Sequence, residues 1–132
     1  MKPKYFFWFL IVLVISIIIF QKSNREDLYR NYELSSGRIV HYQSWRTRKV
    51  EFKIDNLILE QNASMGIIFP GCGDLIRENF DKLKALKFPV IYSKDNVLNH
   101  EILIFRKQYE KAGLEIPDSL QSIVYELSAC FN

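Results

Sequence analysis

Lys49–Ile54 reads KVEFKI and alternates apolar with charged side chains, which is the two-residue period of a half-buried β-strand. Val50, Phe52 and Ile54 then share one face, which we expect to be buried, while the charged side chains face solvent. The preceding run Arg38–Trp45, RIVHYQSW, is also rich in β-branched and aromatic residues and predicts the partner strand. The residues between the two runs would form the turn of a β-hairpin.

Short strands and helices are predicted on the C-terminal side of this hairpin, because apolar runs there are separated by turn-forming residues. The helices are indicated by apolar side chains at three- and four-residue spacing. Together these elements predict an α+β fold, with a small, mostly antiparallel β-sheet or partly open barrel and one or two packed helices. The predicted strands are Leu57–Glu60, Met65–Phe69, Phe88–Tyr92 and Glu101–Phe105, and the predicted helices are Asp74–Leu86, Arg106–Ala112 and one that begins near Pro117.

Tyr5–Phe20, YFFWFLIVLVISIIIF, is an uninterrupted run without a charged residue. As a helix it spans about 24 Å. The hydrocarbon core of a bilayer is roughly 30 Å thick, and the long side chains of Lys4 and Lys22 can reach the lipid headgroups on either side. The run therefore predicts an N-terminal transmembrane helix that contacts the lipid bilayer through residues 5–20. A cleaved signal peptide is the alternative, but no small-residue cleavage site follows the run.

The chain is predicted to contain three regions: a transmembrane anchor over residues 1–22, a juxtamembrane linker or helix extension over residues 23–36, and a small α+β domain over residues 37–132. Gln21–Arg30 is polar and carries charges of both signs, as is typical of a solvated segment. The very short leader before the apolar run favours an exported, extracytoplasmic domain. A cytoplasmic domain is the alternative, because Lys and Arg are at least as frequent after the run as before it.

Composition excludes several classes of protein. The chain has 132 residues and a formal net charge of +3, of which Lys2 and Lys4 contribute two charges. The rest of the chain is nearly neutral, whereas nucleic-acid binding requires clustered Lys and Arg, so no nucleic-acid partner is expected. The length allows one domain and excludes a large multidomain enzyme. An aromatic content of 14% is too high for a disordered chain.

Cys72 and Cys130 are the two cysteines of the chain. In an oxidising compartment they could form a disulfide that closes a long loop. The sequence does not show whether they come within bonding distance, and it favours two free, partly buried thiols over a disulfide. Neither cysteine lies in a motif typical of a catalytic thiol.

No set of residues predicts a catalytic, cofactor or metal site. His41 lies within a predicted strand and His100 at the start of another, and neither is near a nucleophile signature or a metal-ligand spacing. Pro70–Asp74, PGCGD, lacks the longer glycine pattern and the lysine of a phosphate-binding loop. It predicts a turn followed by a helix that Asp74 caps. The protein is therefore expected not to be an enzyme.

The predicted hairpin interleaves basic and aromatic side chains. Arg38, Arg46, Arg48 and Lys49 could together form a β-surface that contacts an anionic lipid or glycan. The simpler interpretation, which the sequence favours, is a solvated cationic face that discourages pairing between sheet edges.

Four motifs outside the apolar run follow one another along the chain: Ser36–Val40 (SGRIV), Lys87–Lys94 (KFPVIYSK), Asn96–Leu103 (NVLNHEIL) and Ile116–Ser119 (IPDS). Their order resembles that in small, uncharacterised, membrane-anchored proteins of Bacteroidota-type bacteria, in which one N-terminal helix precedes a β-rich domain. The resemblance implies a bacterial envelope protein. It assigns no activity and no functional residues.

These observations predict a single-pass membrane protein whose small domain is a non-enzymatic binding or envelope-assembly module with a protein partner. Two alternatives come from other classes. The first is a small membrane-tethered enzyme that uses Cys72, His41 or His100 at a site visible only in three dimensions. The second is the anionic lipid- or glycan-binding β-surface of the hairpin.

Overall fold

A long N-terminal helix, α1 (Pro3–Arg30), opens the computed structural model, which describes residues 2–131. Its 28 residues give an axial length of about 42 Å. The helix is long and apolar enough to cross a membrane, and its most apolar 18-residue window is entirely unburied by the rest of the protein. The apolar side chains in this part of the helix therefore have no partner among the described residues.

The C-terminal turn of α1 packs into the domain. Leu28 and Tyr29 are buried, with 1% and 8% of their surface exposed, and they belong to the same core as the sheet. Region 23–36 is helical as far as Arg30 and becomes a strand at Tyr32, so the helix extension is the alternative that the structure contains. The strand also begins five residues before the predicted domain boundary at residue 37.

Five strands form a single sheet in the order β3-β2-β1-β4-β5, and every neighbouring pair is antiparallel. The two edge strands, β3 and β5, come into contact, so the sheet curls into a nearly closed, barrel-like shape. The predicted α+β class is confirmed. The strands are β1 (Tyr32–Gln43), β2 (Lys49–Ile54), β3 (Ala63–Gly66), β4 (Phe88–Ser93) and β5 (His100–Ile102).

The alternation in β2 is confirmed. Val50 and Phe52 are fully buried and Ile54 nearly so, while Lys53 is exposed. The central strand β1 pairs with β2 on one side and β4 on the other, and Gly37 is the residue at which both pairings meet. Its position leaves little space between the two neighbouring strands.

The predicted strand Leu57–Glu60 is wrong. The strand that pairs with β2 is Ala63–Gly66, whose Ala63 and Met65 are buried. Leu57 and Leu59 are half-buried against the core, but Ile58 points fully into solvent. An apolar run followed by a charged residue therefore did not show which backbone segment pairs with β2.

Four α-helices follow β3. Helix α4 and its end at Gly113, which has a left-handed φ of 71°, are confirmed. The predicted continuous helix Asp74–Leu86 is instead two helices, separated at Asn79. The helices are α2 (Pro70–Glu78), α3 (Phe80–Lys84), α4 (Arg106–Ala112) and α5 (Gln121–Leu127), with short 3-10 turns at Asp118–Leu120 and Ser128–Phe131.

Two local effects explain this correction. Proline is favoured in the first turn of a helix, and α2 begins at Pro70, so Pro70–Asp74 is helical and Asp74 is not the cap. The Asn79 side chain donates through Nδ2 to the Leu75 carbonyl at 2.9 Å. The Leu75 carbonyl also accepts from the backbone N–H of Asn79 at 3.1 Å, so side chain and backbone share this acceptor at the point where α2 ends.

We expect Gly37→Ala to lower the free energy of unfolding by about 2 kcal/mol, a typical cost of overpacking. The added Cβ would lie 2.6 Å from the Lys53 carbonyl oxygen and 2.8 Å from Val90 Cγ2. Gly66→Ala is the matched control, because a Cβ at that strand position meets no atom within 4 Å. Urea unfolding of the detergent-solubilised chain would measure both, and equal effects would contradict the close approach at Gly37.

Candidate functional site

The four cations of the predicted β-surface do not form one patch. Arg46, Arg48 and Lys49 lie at the turn between β1 and β2, where Arg46 has a φ of 63° and stacks over the Trp45 ring at 4.5 Å. Arg38 lies five positions before the end of β1, about 17 Å away along the strand. The hairpin therefore presents three cations at its tip and one apart from them.

The two histidines lie in different environments, and neither belongs to a group of potential metal ligands among the described residues. His41 is exposed on β1 opposite Glu51. The centres of the His100 and Phe52 rings lie 5.5 Å apart with the rings perpendicular, and His100 Nδ1 lies 2.9 Å from the Val97 carbonyl oxygen. Among residues 2–131, no three His, Cys, Asp or Glu side chains are grouped as metal ligands would be.

Cys72 and Cys130 form a disulfide, although the sequence favours two free thiols. Their Cα atoms are 5.1 Å apart, and the bond joins α2 to the final 3-10 turn across 58 positions of sequence. Chain-entropy arguments give such a long loop a stabilisation of about 4 kcal/mol. The pairing depends on how α2 and the C-terminal segment meet, which residue spacing does not show.

A cavity of about 200 Å³ lies where α1 meets the domain, and we call it the junction pocket. Residues from α1, β3, the segment after β3, β5 and α4 line it, so it exists only in the assembled domain. Cys72 also lines it, which places the disulfide in its wall. The residues that matter most for its chemistry are Arg25, Tyr29, Ile68, Glu101, Lys107 and Lys111.

The Glu101 carboxylate lies at the centre of the polar wall of the junction pocket. The Tyr29 hydroxyl donates a hydrogen bond to its Oε2, and the Gln108 amide donates to the same oxygen at 3.3 Å. Arg25 forms an ion pair with the other carboxylate oxygen, Oε1, through its Nε at 3.7 Å. Only 15% of the Glu101 side chain is exposed. These donors link α1 directly to β5 and α4.

Gln108 connects the start of α4 to the end of β5. Its Oε1 accepts hydrogen bonds from the backbone N–H groups of Ile104 and Phe105 at 2.9 and 3.0 Å. Its Nε2 donates to the Ile102 carbonyl oxygen at 3.0 Å as well as to Glu101. One amide side chain thus satisfies backbone groups that the short strand β5 leaves outside the ladder.

Tyr109, the next residue, supports the same segment from the core. Its hydroxyl donates to the Leu103 carbonyl oxygen at 2.7 Å, and only 1% of the residue is exposed. Burial raises the pKa of the Tyr109 hydroxyl above its ordinary value, because the ionised form loses hydration. The hydroxyl therefore remains a protonated donor at neutral pH.

Cations and apolar side chains surround this network at the pocket surface. Lys111 Nζ lies 4.5 Å from the centre of the Tyr29 ring, and Lys107 lies one helical turn earlier on the same helix. With Arg25, the junction pocket has three cations and one carboxylate. Ile68, which also lines the pocket, is 70% exposed, and the neighbouring Phe69 is about half exposed. The arrangement combines positive charge with an apolar lip, which suits binding of an anionic amphiphile.

Sequence reasoning did not find this site. Arg25 and Tyr29 lie in the region predicted as linker or helix extension, and Glu101 begins a predicted strand without a distinguishing motif. The available signal was the four-residue spacing of Arg25 with Tyr29 and of Lys107 with Lys111, which places each pair on one helical face. The spacing does not show that the two faces meet.

We expect Gln108→Ala to lower the free energy of unfolding by about 2 kcal/mol, because it removes the side-chain partner of the buried Ile104 N–H and of the buried Ile102 carbonyl. Gln121→Ala is the matched control, since Gln121 is exposed and makes one long contact with Asp118 at 3.4 Å. Urea unfolding of both variants provides the comparison. A loss at Gln108 no larger than that at Gln121 would show that the amide network contributes little.

Comparisons with known protein families, with curated proteins and with solved structures found no significant match to this chain. The resemblance to membrane-anchored proteins of Bacteroidota-type bacteria stays a prediction. The function of the protein is therefore inferred from its own residues and their geometry.

Proposed function

We propose that the protein is a single-pass, membrane-anchored binding module that performs no catalysis, and that the junction pocket is its binding site. The observation that carries this proposal is the continuity of α1, which extends from the apolar segment into the domain core without a linker. Residues near the end of that helix also line the pocket. The binding site would therefore be held at a defined height above the bilayer.

The chemistry of the junction pocket supports binding more than catalysis. The Glu101 carboxylate is engaged by Tyr29, Gln108 and Arg25, which leaves it poorly placed to exchange protons with a substrate. Of the residues considered for a tethered enzyme, Cys72 is bonded to Cys130 and therefore lacks a nucleophilic thiol. His41 and His100 do not line the pocket.

We infer that the domain lies outside the cytoplasm. The disulfide between Cys72 and Cys130 supports this orientation, because such bonds persist in oxidising compartments and are rare in the cytosol. A bacterial envelope location is the corresponding expectation from the resemblance.

Photo-crosslinking in the native membrane tests the binding site. A benzophenone amino acid at Ile68, on the lip of the junction pocket, is expected to crosslink to a bound molecule. The same residue at Tyr125, an exposed aromatic position on α5 outside the pocket, is the matched control. Adducts at position 68 that are absent at position 125 are the expected result. Equal or absent labelling at the two positions would contradict the proposed site.

The redox state of the cysteines in intact cells tests the orientation. We expect thiol-specific maleimide to modify neither cysteine of the rapidly denatured protein before reduction and both of them after it, because the disulfide forms outside the cytosol. In the control variant Cys72→Ser, Cys130 lacks its intramolecular partner and should react without reductant. Two reactive thiols in the unreduced wild-type protein would place the domain in a reducing compartment.

A further inference from the structure

We propose that the junction pocket binds the phosphate-bearing headgroup of an anionic phospholipid taken from the leaflet around the C-terminal end of the apolar segment. The inference rests on the proposed function, because it needs α1 in a bilayer, and it names the ligand of the same site. Position, charge and shape of the pocket each support it.

The pocket lies at the depth of lipid headgroups. Arg25 is five residues beyond Phe20, which is about 7.5 Å along the helix axis. The polar layer of a bilayer extends roughly 5–8 Å beyond each side of its hydrocarbon core. Side chains of an α-helix are tilted toward its N-terminus, so Arg25 is directed back toward the bilayer. A lipid in the adjacent leaflet can therefore reach the pocket without leaving the membrane.

The charges of the junction pocket favour an anion. Arg25, Lys107 and Lys111 line it, and Glu101 is the carboxylate that opposes them. Glu101 is mostly buried in the wall, whereas more than half of the Arg25 side chain is exposed and both lysines are exposed. Positive charge therefore dominates at the mouth. Arg and Lys are the side chains that bind phosphate in proteins.

The size and the lip of the pocket favour a lipid over free phosphate. Its volume of about 200 Å³ is below the range of roughly 300–1,000 Å³ typical for whole drug-sized ligands, so it suits a headgroup whose acyl chains remain outside. Ile68 is largely exposed at the edge, where it could contact the first methylenes of those chains. Free phosphate would leave this apolar surface in water.

The test uses the full chain, stripped of lipid and reconstituted with equal amounts of phosphatidylglycerol and phosphatidylcholine. Native mass spectrometry then measures which lipid remains bound. The wild type should retain phosphatidylglycerol preferentially, and Lys107→Gln with Lys111→Gln should reduce the preference about thirtyfold, as expected for two cations near an anionic headgroup. Lys53→Gln with Lys82→Gln is the charge-matched control on exposed residues outside the pocket, and it should leave the preference unchanged.

Two further variants separate a specific site from general attraction. Glu101→Gln should increase the retention of phosphatidylglycerol, because it removes the opposing charge while keeping an acceptor for Tyr29. Ile68→Ser should weaken lipid retention without changing net charge. Equal losses in the two lysine pairs, no gain in Glu101→Gln, or complete displacement of the lipid by excess inorganic phosphate would each overturn the lipid assignment.

The two proposals fail in different ways. If the benzophenone at position 68 crosslinks only to protein and no lipid preference is measured, the binding module stands and its ligand is a protein. If neither experiment shows occupancy of the junction pocket, both proposals are wrong. Thermal unfolding of each variant is the check on folding. Because Lys107 and Lys111 are exposed, replacing them should leave the melting temperature unchanged, and a loss of binding can then be separated from a loss of folding.

Discussion

Leu28 and Tyr29 join the apolar helix to the domain, and the arrangement of the candidate site depends on their burial. With these two side chains in the core, the final turns of α1 keep a fixed orientation against β4 and α4. That orientation brings Arg25 to Glu101 and completes the junction pocket. A flexible linker at the same place would leave the pocket without one of its walls. Helix packing thus creates the chemistry of the site.

Local pattern predicted the parts of the fold that depend on local physics. The alternation in Lys49–Ile54 specified the buried face of β2, and Gly113 marked the end of α4 because its left-handed conformation suits glycine. Errors arose at a strand that depends on nonlocal pairing and at a break within a predicted helix. Ala63–Gly66, and not Leu57–Glu60, is the segment that pairs with β2. The predicted helix is interrupted at Asn79, whose side chain donates to the Leu75 carbonyl.

The candidate site was less predictable than the fold because its residues are ordinary in sequence. Tyr29, Glu101 and Gln108 are widely separated in the chain, and each has many equivalents by residue type. They come together because the curled sheet brings β3 and β5 into contact and because α4 packs beside α1. Catalytic motifs can often be found in sequence because spacing is part of their chemistry. A pocket assembled from six segments, as the junction pocket is, has no such linear constraint.

The disulfide between Cys72 and Cys130 also has a mechanical consequence. In the proposed membrane-anchored protein, a pull on the C-terminal part of the domain would pass along the covalent chain toward α1. The bond bypasses the segment between the two cysteines, which are 58 positions apart in sequence, so about 200 Å of contour length cannot be drawn out. Strands β4 and β5 lie inside this closed segment, and β1 to β3 lie outside it. Tension would therefore extend only the N-terminal part of the sheet, while the C-terminal part remains a closed loop.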